Sequence, residues 1–202
     1  MTRVSYGPGG DAVEHLIAND ERLAGLIEQI GVTSFELRED RFAALARAIV
    51  GQQLSVKAAR TIWSRVEAAV GTVTAGGVAA ADRDALRSAG LSAAKLTYVT
   101  DLATRVADGS VDLDALDDLS DEEAIGRLTT IKGVGRWTSE MFLIFSLGRP
   151  DVFALDDAGL RRSIGLLYGP RVLDDAQALA VITDRWRPYR SVASLYLWDA
   201  LD

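Results

Sequence analysis

The sequence predicts an all-α protein, and three observations support this fold class. Apolar residues recur at helical spacing along most of the chain, while the alternation typical of strands is almost absent. The chain contains four prolines and no low-complexity segment or long linker. Its 202 residues, of which 49% are hydrophobic and 25% charged, are enough for one large or two small domains.

The predicted helices of the first half share an apolar face at helical spacing; they cover residues 11–30, 41–50, 56–70 and 92–108. Gly31 ends the first helix, because glycine readily adopts the left-handed conformation found after a helix. Gly51–Ser55 interrupts the second and third helices. The buried stripe of the fourth consists of Leu91, Ala94, Tyr98, Leu102 and Val106.

The second half begins with a capping box, in which Ser120 and Glu123 start a helix. This helix leads into Leu128–Met141, a segment typical of a helix, a two-glycine turn and a second helix. The second helix is apolar to about Leu147, and Gly148-Arg-Pro150 stops it. Three shorter helices follow near residues 157–167, 174–186 and 190–200.

Composition excludes several kinds of site. The absence of cysteine excludes disulfides, a cysteine nucleophile, a thiolate zinc site and a cysteine-ligated iron–sulfur cluster. With His15 as the single histidine, we expect neither an imidazole metal site nor a histidine-based catalytic triad. No run of about 18 apolar residues occurs, and the first residues lack an apolar signal region. We therefore expect a cytoplasmic, intracellular protein without a membrane segment.

The net charge of −7 argues against tight binding to nucleic acid, because such binding depends on Lys and Arg contacts with phosphates. The charge is unevenly distributed, however. Residues 111–123 hold seven acids and no base, whereas residues 124–150 hold four bases and Glu140 as the single acid. A binding surface in the second segment is therefore locally basic, and we expect modest, salt-sensitive affinity.

Gly133 and Gly135 bracket one apolar residue and allow a sharp turn with accessible backbone N–H groups. The helix that follows presents its positive end, so the turn suits an anion. Together with Ile131, Val134 and Thr138, the glycines fit the helix-hairpin-helix motif, which binds nucleic-acid backbone without reading sequence. The alternative is a plain turn between two helices.

Asp156 and Asp157 precede the predicted helix near 157–167 and allow two interpretations. Aspartate is a favoured N-cap, so one of them satisfies helix N–H groups. A carboxylate at a helix N-terminus also lies where negative charge is favoured, as an electrostatic catalyst of carbocation chemistry requires. The residues alone leave both interpretations open.

Three blocks together resemble the helix-hairpin-helix DNA glycosylases with a Gly/Pro-rich loop and a catalytic aspartate, especially the 3-methyladenine DNA glycosylase II type. They are Gly133–Thr138, Asp151–Asp157 and Arg185–Ser191, and the likeness runs from about Arg41 to Trp198. The resemblance implies that Asp157 is catalytic and that Asp156 is structural or orienting. It also implies a helical domain over 41–150 and a second domain from 1–40 plus 151–202, with DNA across the cleft between them.

The resemblance further implies site residues. Trp137 and Tyr189 match aromatic positions of the base pocket, ahead of Trp186 and Trp198, and Met141 replaces a pocket tyrosine of close relatives. Gln53 matches the wedge that fills the gap left by a flipped base, with Leu54 adjacent, although these residues also fit simple helix caps. The other DNA contacts are expected in and beside the hairpin: Lys132, Gly133, Val134, Gly135, Arg136 and Thr138.

Strand-cleaving members of the family carry a lysine where this chain has Trp137, so the resemblance implies a monofunctional enzyme that leaves an abasic site. It implies no required cofactor, but a structural Na⁺ or K⁺ on the backbone carbonyls of Thr129, Ile131 and Val134. The expected partner is duplex DNA containing alkylated purines, bound by a monomer. Two alternatives remain: a non-catalytic DNA-binding or lesion-sensing protein, and a glycosylase for oxidised or deaminated bases.

Overall fold

The computed structural model describes residues 2–201 and is mostly helical, which confirms the predicted fold class. Two strands and twelve α-helices are present in this range: β1 (Thr2–Tyr6), α1 (Asp11–Asn19), α2 (Glu21–Ile30), β2 (Thr33–Leu37), α3 (Arg41–Gly51), α4 (Val56–Val70), α5 (Ala75–Ala80), α6 (Arg83–Ser88), α7 (Ala93–Ala107), α8 (Asp121–Leu128), α9 (Arg136–Phe145), α10 (Ala158–Tyr168), α11 (Ala176–Asp184) and α12 (Arg190–Asp199). Short 3₁₀ turns occupy Ala115–Asp118 and Pro170–Asp174.

Contacts within the chain divide it into two compact units. One spans Arg38–Phe142 and contains α3 to α8, with α7 packed against α3 and α5. The other combines the segment up to Leu37 with the segment from Leu143 onward, and contains the two strands, α1, α2 and α10 to α12. No helix within residues 2–201 has the length and apolar character needed to cross a membrane.

The expectation that strands are nearly absent is wrong at two places. β1 and β2 pair antiparallel, with Val4 opposite Phe35 and Tyr6 opposite Thr33. Each strand has only five residues, which is too short for alternation to stand out, and the partner lies about thirty positions away in the chain. The short helices α5 and α6, with six residues each, were likewise not predicted.

The prediction of one continuous helix over 11–30 is also wrong, because the chain forms two helices, α1 and α2, separated at Asp20. This buried aspartate caps α2 by accepting hydrogen bonds from the N–H groups of Arg22 and Leu23. Its second oxygen accepts from the Tyr168 hydroxyl at 2.7 Å and from the indole of Trp186 at 3.0 Å. Burial and the hydrogen bond to Asp20 raise the pKa of Tyr168. An N-cap inside a continuous apolar pattern does not disturb the periodicity that predicted one helix.

Other predicted boundaries are confirmed. Gly31 follows α2 with a φ of 76°, and its N–H donates to the carbonyl of Ile27. The capping box is formed, with the Ser120 N–H 2.9 Å from a Glu123 carboxylate oxygen and the Glu123 N–H bonded to the Ser120 hydroxyl. The predicted helix over 92–108 is α7, which differs by one residue at each end. Its predicted buried stripe is wrong in part: Ala94 is exposed, and the buried residues of the helix are Leu96, Val99, Leu102 and Ala103.

Candidate functional site

The segment from α8 to α9 forms the predicted helix-hairpin-helix. Its turn is closed by the Val134 N–H, which donates to the Ile131 carbonyl at 3.1 Å. Gly133 has a φ of 78°, and a Cβ added to it would lie 2.2 Å from the Tyr98 ring. An added Cβ at Gly135 would meet no atom within 4 Å, and its φ is not positive. Gly133 is therefore required by both conformation and packing, whereas the structure gives Gly135 neither constraint.

Two side chains of helix α7, Arg105 and Asp101, bind the hairpin turn. The Arg105 guanidinium donates to the carbonyl of Thr130 at 2.7 Å and to its hydroxyl at 3.2 Å. Asp101 accepts from the backbone N–H of Lys132 at 3.4 Å, and its carboxylate lies 3.5 Å from the Lys132 ammonium. These contacts fix the turn while leaving the Lys132 side chain 64% exposed.

The predicted hairpin contacts differ in what they present to solvent. The side chains of Val134 and Thr138 are buried and not available to a phosphate, and the Val134 N–H already donates to the Ile131 carbonyl. Arg136 is engaged by two carboxylates, at 3.0 Å from Glu122 and 2.9 Å from Glu140. The hydrogen bond with Glu122 raises the pKa of Arg136. The hairpin therefore presents backbone N–H groups and Lys132 more readily than Arg136.

The carbonyls expected to hold a monovalent cation fit that chemistry. Thr129 is the C-cap of α8, and carbonyls at a helix end have no intrahelical donor. The Ile131 carbonyl accepts from the Val134 N–H and keeps a second lone pair. Carbonyl oxygens, including that of Val134, are hard ligands that suit Na⁺ or K⁺. Within residues 2–201, no cluster of three or more His, Cys, Asp or Glu side chains is arranged for a metal ion.

The break between α3 and α4, Gly51–Ser55, is called the wedge loop below. Gln53 at its centre is exposed and has a φ of 57°, and Leu54 is 37% exposed. Ser55 is the N-cap of α4 and accepts from the Ala58 N–H at 3.3 Å. The loop thus combines a helix cap with two outward residues, so the cap interpretation and the wedge prediction are compatible.

Sequence reasoning missed one residue within this loop, Gln52, and one on α7, Lys95. The Gln52 side-chain amide donates to the Gly133 carbonyl at 2.7 Å, joining the wedge loop to the hairpin. The Lys95 ammonium donates to the carbonyls of Val50 and Gln52 at 2.9 and 2.6 Å. Burial lowers the pKa of Lys95. Both interactions join residues more than 40 positions apart, so no local pattern signals them.

Asp157 lies in the other unit and is the N-cap of α10. Its Oδ1 accepts from the Leu160 N–H at 2.9 Å and from the Trp198 indole N–H at 2.9 Å. Gly159 permits this approach, because a Cβ there would lie 3.1 Å from both Asp157 Oδ1 and Trp198 Cδ1. Asp156 is exposed. The carboxylate of Asp157 is therefore fixed by one backbone donor and one side-chain donor.

The aromatic side chains predicted for the base pocket have different surroundings. Trp198 contacts Asp157 and lies 5.6 Å from the Phe145 ring, whereas Tyr189 lies edge-on to His15 at 5.4 Å. Tyr189 and Trp198 are at opposite ends of α12. Trp186 is fully buried and serves the core through Asp20. Of these aromatic residues, Trp198 is the one that contacts Asp157, although sequence reasoning ranked it below Tyr189.

Trp137 and Met141 lie one helical turn apart on α9 and so share a face. Trp137 is 45% exposed, although large aromatic side chains are usually buried, and Met141 is half-buried. In their own unit, these side chains form a surface of one aromatic ring and one flexible thioether, which suits a flat apolar ligand.

The block Arg185–Ser191 supports the loop that leads to Asp157. Arg190 makes a two-pronged contact with the Asp151 carboxylate at 2.8 and 3.0 Å, and Arg187 adds a third contact at 3.0 Å. The Ser191 hydroxyl bonds to both the N–H and the carbonyl of Val152. These bonds attach residues 151–152 to the start of α12 and so bring the two blocks into contact.

Known proteins match this chain over most of its length. The sequence profile of the HhH-GPD superfamily base excision DNA repair protein matches residues 46–188. A putative DNA-3-methyladenine glycosylase of Bacillus subtilis is 31% identical over 191 residues, which are 89% of this chain and 66% of that protein. The chain thus spans slightly less than two thirds of that relative.

Two solved structures resemble this fold closely. The crystal structure of a DNA-3-methyladenine glycosidase from Bacillus halodurans has a TM-score of 0.89 and 38% identity, covering 98% of this chain and 92% of that one. The 3-methyladenine DNA glycosylase of Schizosaccharomyces pombe, in complex with abasic DNA, has a TM-score of 0.81 and 31% identity, covering 94% and 96%. The resemblance predicted from the three blocks is confirmed: the chain belongs to the HhH-GPD superfamily of base excision DNA repair proteins.

Proposed function

We propose that this protein is a monofunctional DNA glycosylase that acts as a monomer on duplex DNA in base excision repair. It flips out an alkylated purine of the 3-methyladenine or 7-methylguanine type and hydrolyses the N-glycosidic bond. The observation that carries the proposal is the Asp157 carboxylate, held by Leu160 and Trp198 at the start of α10. The names of the similar proteins from Bacillus subtilis, Bacillus halodurans and Schizosaccharomyces pombe support the same substrate class.

Asp157 supplies electrostatic stabilisation. Breaking the bond to the base leaves oxocarbenium-like positive charge on the sugar. A carboxylate beside that charge lowers the barrier, or orients a water molecule for attack. Because two donors already hold Oδ1, the carboxylate needs little reorganisation in the transition state. The N-cap role of Asp157 is thus the means by which the catalytic group is oriented.

An alkylated purine suits this limited machinery. Such a base already carries positive charge and leaves without a proton from a general acid. Trp137, with Met141 beside it, offers a stacking surface on which an electron-poor ring gains about 0.5–2 kcal/mol of cation–π attraction. Trp198 is favoured over Tyr189 as the aromatic residue near the reacting sugar, because it contacts Asp157.

The hairpin and wedge loop provide the DNA contacts. The backbone N–H groups of Gly133, Gly135 and Arg136 hold a phosphate, with Lys132 as the nearby cation. The carbonyls of Thr129, Ile131 and Val134 would hold Na⁺ or K⁺, which supplies additional positive charge toward that phosphate when bound. Gln53 and Leu54 enter the gap that the flipped nucleotide leaves.

The chain is proposed to lack strand-cleaving activity. Schiff-base chemistry requires a lysine at the reacting sugar. Trp137 occupies the position of the family's lysine. The Lys95 ammonium is bonded to backbone carbonyls at the wedge loop, and Lys132 pairs with Asp101. We expect borohydride to trap no covalent complex with DNA and the abasic strand to stay intact until alkali is added. A trapped adduct would contradict the monofunctional assignment.

The direct test of the activity is release of free base by the wild-type protein from methylated duplex DNA, identified by chromatography. We expect 3-methyladenine or 7-methylguanine in the supernatant, in excess over hypoxanthine released from a deaminated duplex. Binding of the methylated duplex without release would favour the lesion-sensing alternative. Preferential release of hypoxanthine would favour a glycosylase for neutral deaminated bases.

A further inference from the structure

Two loops that we assign to DNA binding rest on one face of α7. Lys95 and Tyr98 are three residues apart and therefore lie side by side on that helix. The Lys95 ammonium holds the carbonyls of Val50 and Gln52, at the end of α3 where the wedge loop begins. The Tyr98 ring packs directly against Gly133 of the hairpin. A single helix thus supports both loops.

Gln52 joins the two loops to each other. Its side-chain amide donates to the Gly133 carbonyl at 2.7 Å, while its own backbone carbonyl accepts from Lys95 at 2.6 Å. The Tyr98 ring packs so closely against Gly133 that an added Cβ would lie 2.2 Å from it. The Gln52 amide is therefore bonded to the part of the hairpin that packs against α7.

The next residue in the chain has an unusual backbone conformation. Gln53 has a φ of 57°, and within residues 2–201 it is the one non-glycine residue with a positive φ. Such a conformation is disfavoured by its Cβ and persists where the surroundings impose it. The bonds to Gln52 and Val50 lie immediately before Gln53 and provide that constraint.

The chemistry of Lys95 fits a supporting role. The last carbonyls of a helix lack intrahelical donors, and the negative end of the helix attracts a cation. An ammonium group offers three donors and satisfies two of these carbonyls at once. Burial lowers the pKa of Lys95, in agreement with an ammonium group that is part-buried against these carbonyls.

We infer that Gln52 and Lys95 are positioning residues that couple the hairpin's grip on the DNA backbone to insertion of the wedge loop. The inference rests on the proposed function, since it assigns base flipping to that loop. Because the wedge loop is already held relative to the hairpin, flipping does not carry the entropic cost of ordering that loop. Neither residue contacts the base or the reacting sugar.

The test compares the variants Gln52→Ala and Lys95→Met with a matched control, Gln29→Ala, an exposed glutamine of α2 in the other unit. The probe is a duplex containing 2-aminopurine, whose fluorescence rises when the base leaves the stack. At saturating protein we expect Gln52→Ala, which loses one positioning hydrogen bond, to lower the flipping equilibrium about three- to tenfold. Lys95→Met loses two such bonds and should lower it at least as much. Affinity for an undamaged duplex should change by less than about twofold, because the hairpin itself is intact.

Excision gives a second readout that a merely structural role would not produce. We expect Gln52→Ala to slow release of 7-methylguanine from a paired duplex about three- to tenfold. Release from a one-nucleotide bulge, where the base is already unpaired, should fall by less than about twofold. Urea unfolding checks that each variant is folded. If Lys95→Met does not fold, Lys95→Arg replaces it in the comparison; because it keeps the cation, it should flip the base more than Gln52→Ala does but less than the wild type.

Several outcomes would overturn the inference. The first is a wild-type flipping equilibrium in both folded variants. The second is a rate of base release that falls equally for paired and bulged substrates. The third is a loss of affinity for the undamaged duplex as large as the loss in the flipping equilibrium. A wild-type protein that does not flip 2-aminopurine would overturn it as well. If the wild type flips this base but releases no methylated purine, the proposed function fails while the fluorescence comparison still supports or refutes the coupling.

Discussion

The hairpin and the surroundings of Asp157, the proposed catalytic residue, are built from different kinds of groups. The hairpin presents backbone atoms around Gly133, and its signal in the sequence is a pair of glycines within one short segment. The acid site presents a single carboxylate, Asp157, whose indole donor Trp198 lies 41 positions later in the chain. Binding a phosphate requires little beyond a local backbone turn. Orienting a carboxylate requires hydrogen-bond donors that the tertiary fold brings from distant parts of the chain.

The charged side chains near the hairpin reinforce this contrast. Arg136 is engaged by Glu122 and Glu140, and Lys132 shares its charge with Asp101. These pairs moderate the local positive charge in a chain whose net charge is −7. The hairpin is therefore expected to depend on backbone geometry first and on one exposed cation second.

The largest expected effect on stability and DNA affinity comes from the turn itself. Gly133→Ala would place a Cβ 2.2 Å from the Tyr98 ring and force a side chain into a left-handed conformation. We expect a loss of about 3 kcal/mol in the free energy of unfolding, measured with urea, and a loss of DNA affinity of about 100-fold. The matched variant Gly135→Ala should change stability by less than about 1 kcal/mol, because it meets neither constraint.

This prediction also has an internal check. The double variant Gly133→Ala with Tyr98→Ala removes the clash, so its destabilisation should be smaller than the sum of the two single effects. Additive effects would show that the Tyr98 ring does not limit the turn. Equal stability losses in Gly133→Ala and Gly135→Ala would remove the distinction between the two hairpin glycines.

A smaller effect, on the rate of base release, is expected when Asp157 loses its indole donor. Trp198→Phe keeps an aromatic ring but removes the donor to Asp157. We expect the single-turnover rate of 7-methylguanine release to fall about tenfold with unchanged DNA affinity, because the bond orients the carboxylate and not the DNA. Trp63→Phe is the control, since its indole also donates to a carboxylate, Glu67 at 2.6 Å, without any proposed catalytic role. An unchanged rate in Trp198→Phe would show that the Trp198 indole does not orient the Asp157 carboxylate for catalysis.

The smallest expected effect concerns the exposed cation. Lys132→Met should reduce the slope of log affinity against log salt concentration by about one, with less than about tenfold loss at physiological salt. Arg136→Met should change the slope less, because Arg136 is held by two carboxylates. A larger change for Arg136→Met would mean that Arg136 leaves these partners to bind phosphate.

Much of the fold follows from local signals. The capping box at Ser120, the closing glycine at Gly31 and the two-glycine hairpin each occupy a few consecutive residues, and the structure contains all three. The break at Asp20 was missed because a buried N-cap leaves the apolar periodicity unchanged. The pairing of β1 with β2 was missed because five-residue strands carry little pattern of their own.

The candidate site divides in the same way. Asp157 is predicted as the catalytic residue because an aspartate before a helix and a family block coincide at one place, and its N-cap position is the part that the structure confirms. Its donor Trp198 and the pair Gln52 and Lys95 are not predicted in these roles, because each is defined by a contact between distant segments. Tyr189 as a pocket residue stays a prediction, and the structure gives it a contact with His15 instead of Asp157.

The most direct measurement is the single-turnover release of 7-methylguanine from duplex DNA by Asp157→Asn and Asp156→Asn. Asparagine caps a helix as well as aspartate, so both variants should stay folded and bind DNA. We predict that Asp157→Asn loses at least about 100-fold in rate, because the stabilising charge is removed, while Asp156→Asn stays within about twofold of the wild type. A near wild-type rate in Asp157→Asn would contradict the assignment of Asp157 as the catalytic carboxylate.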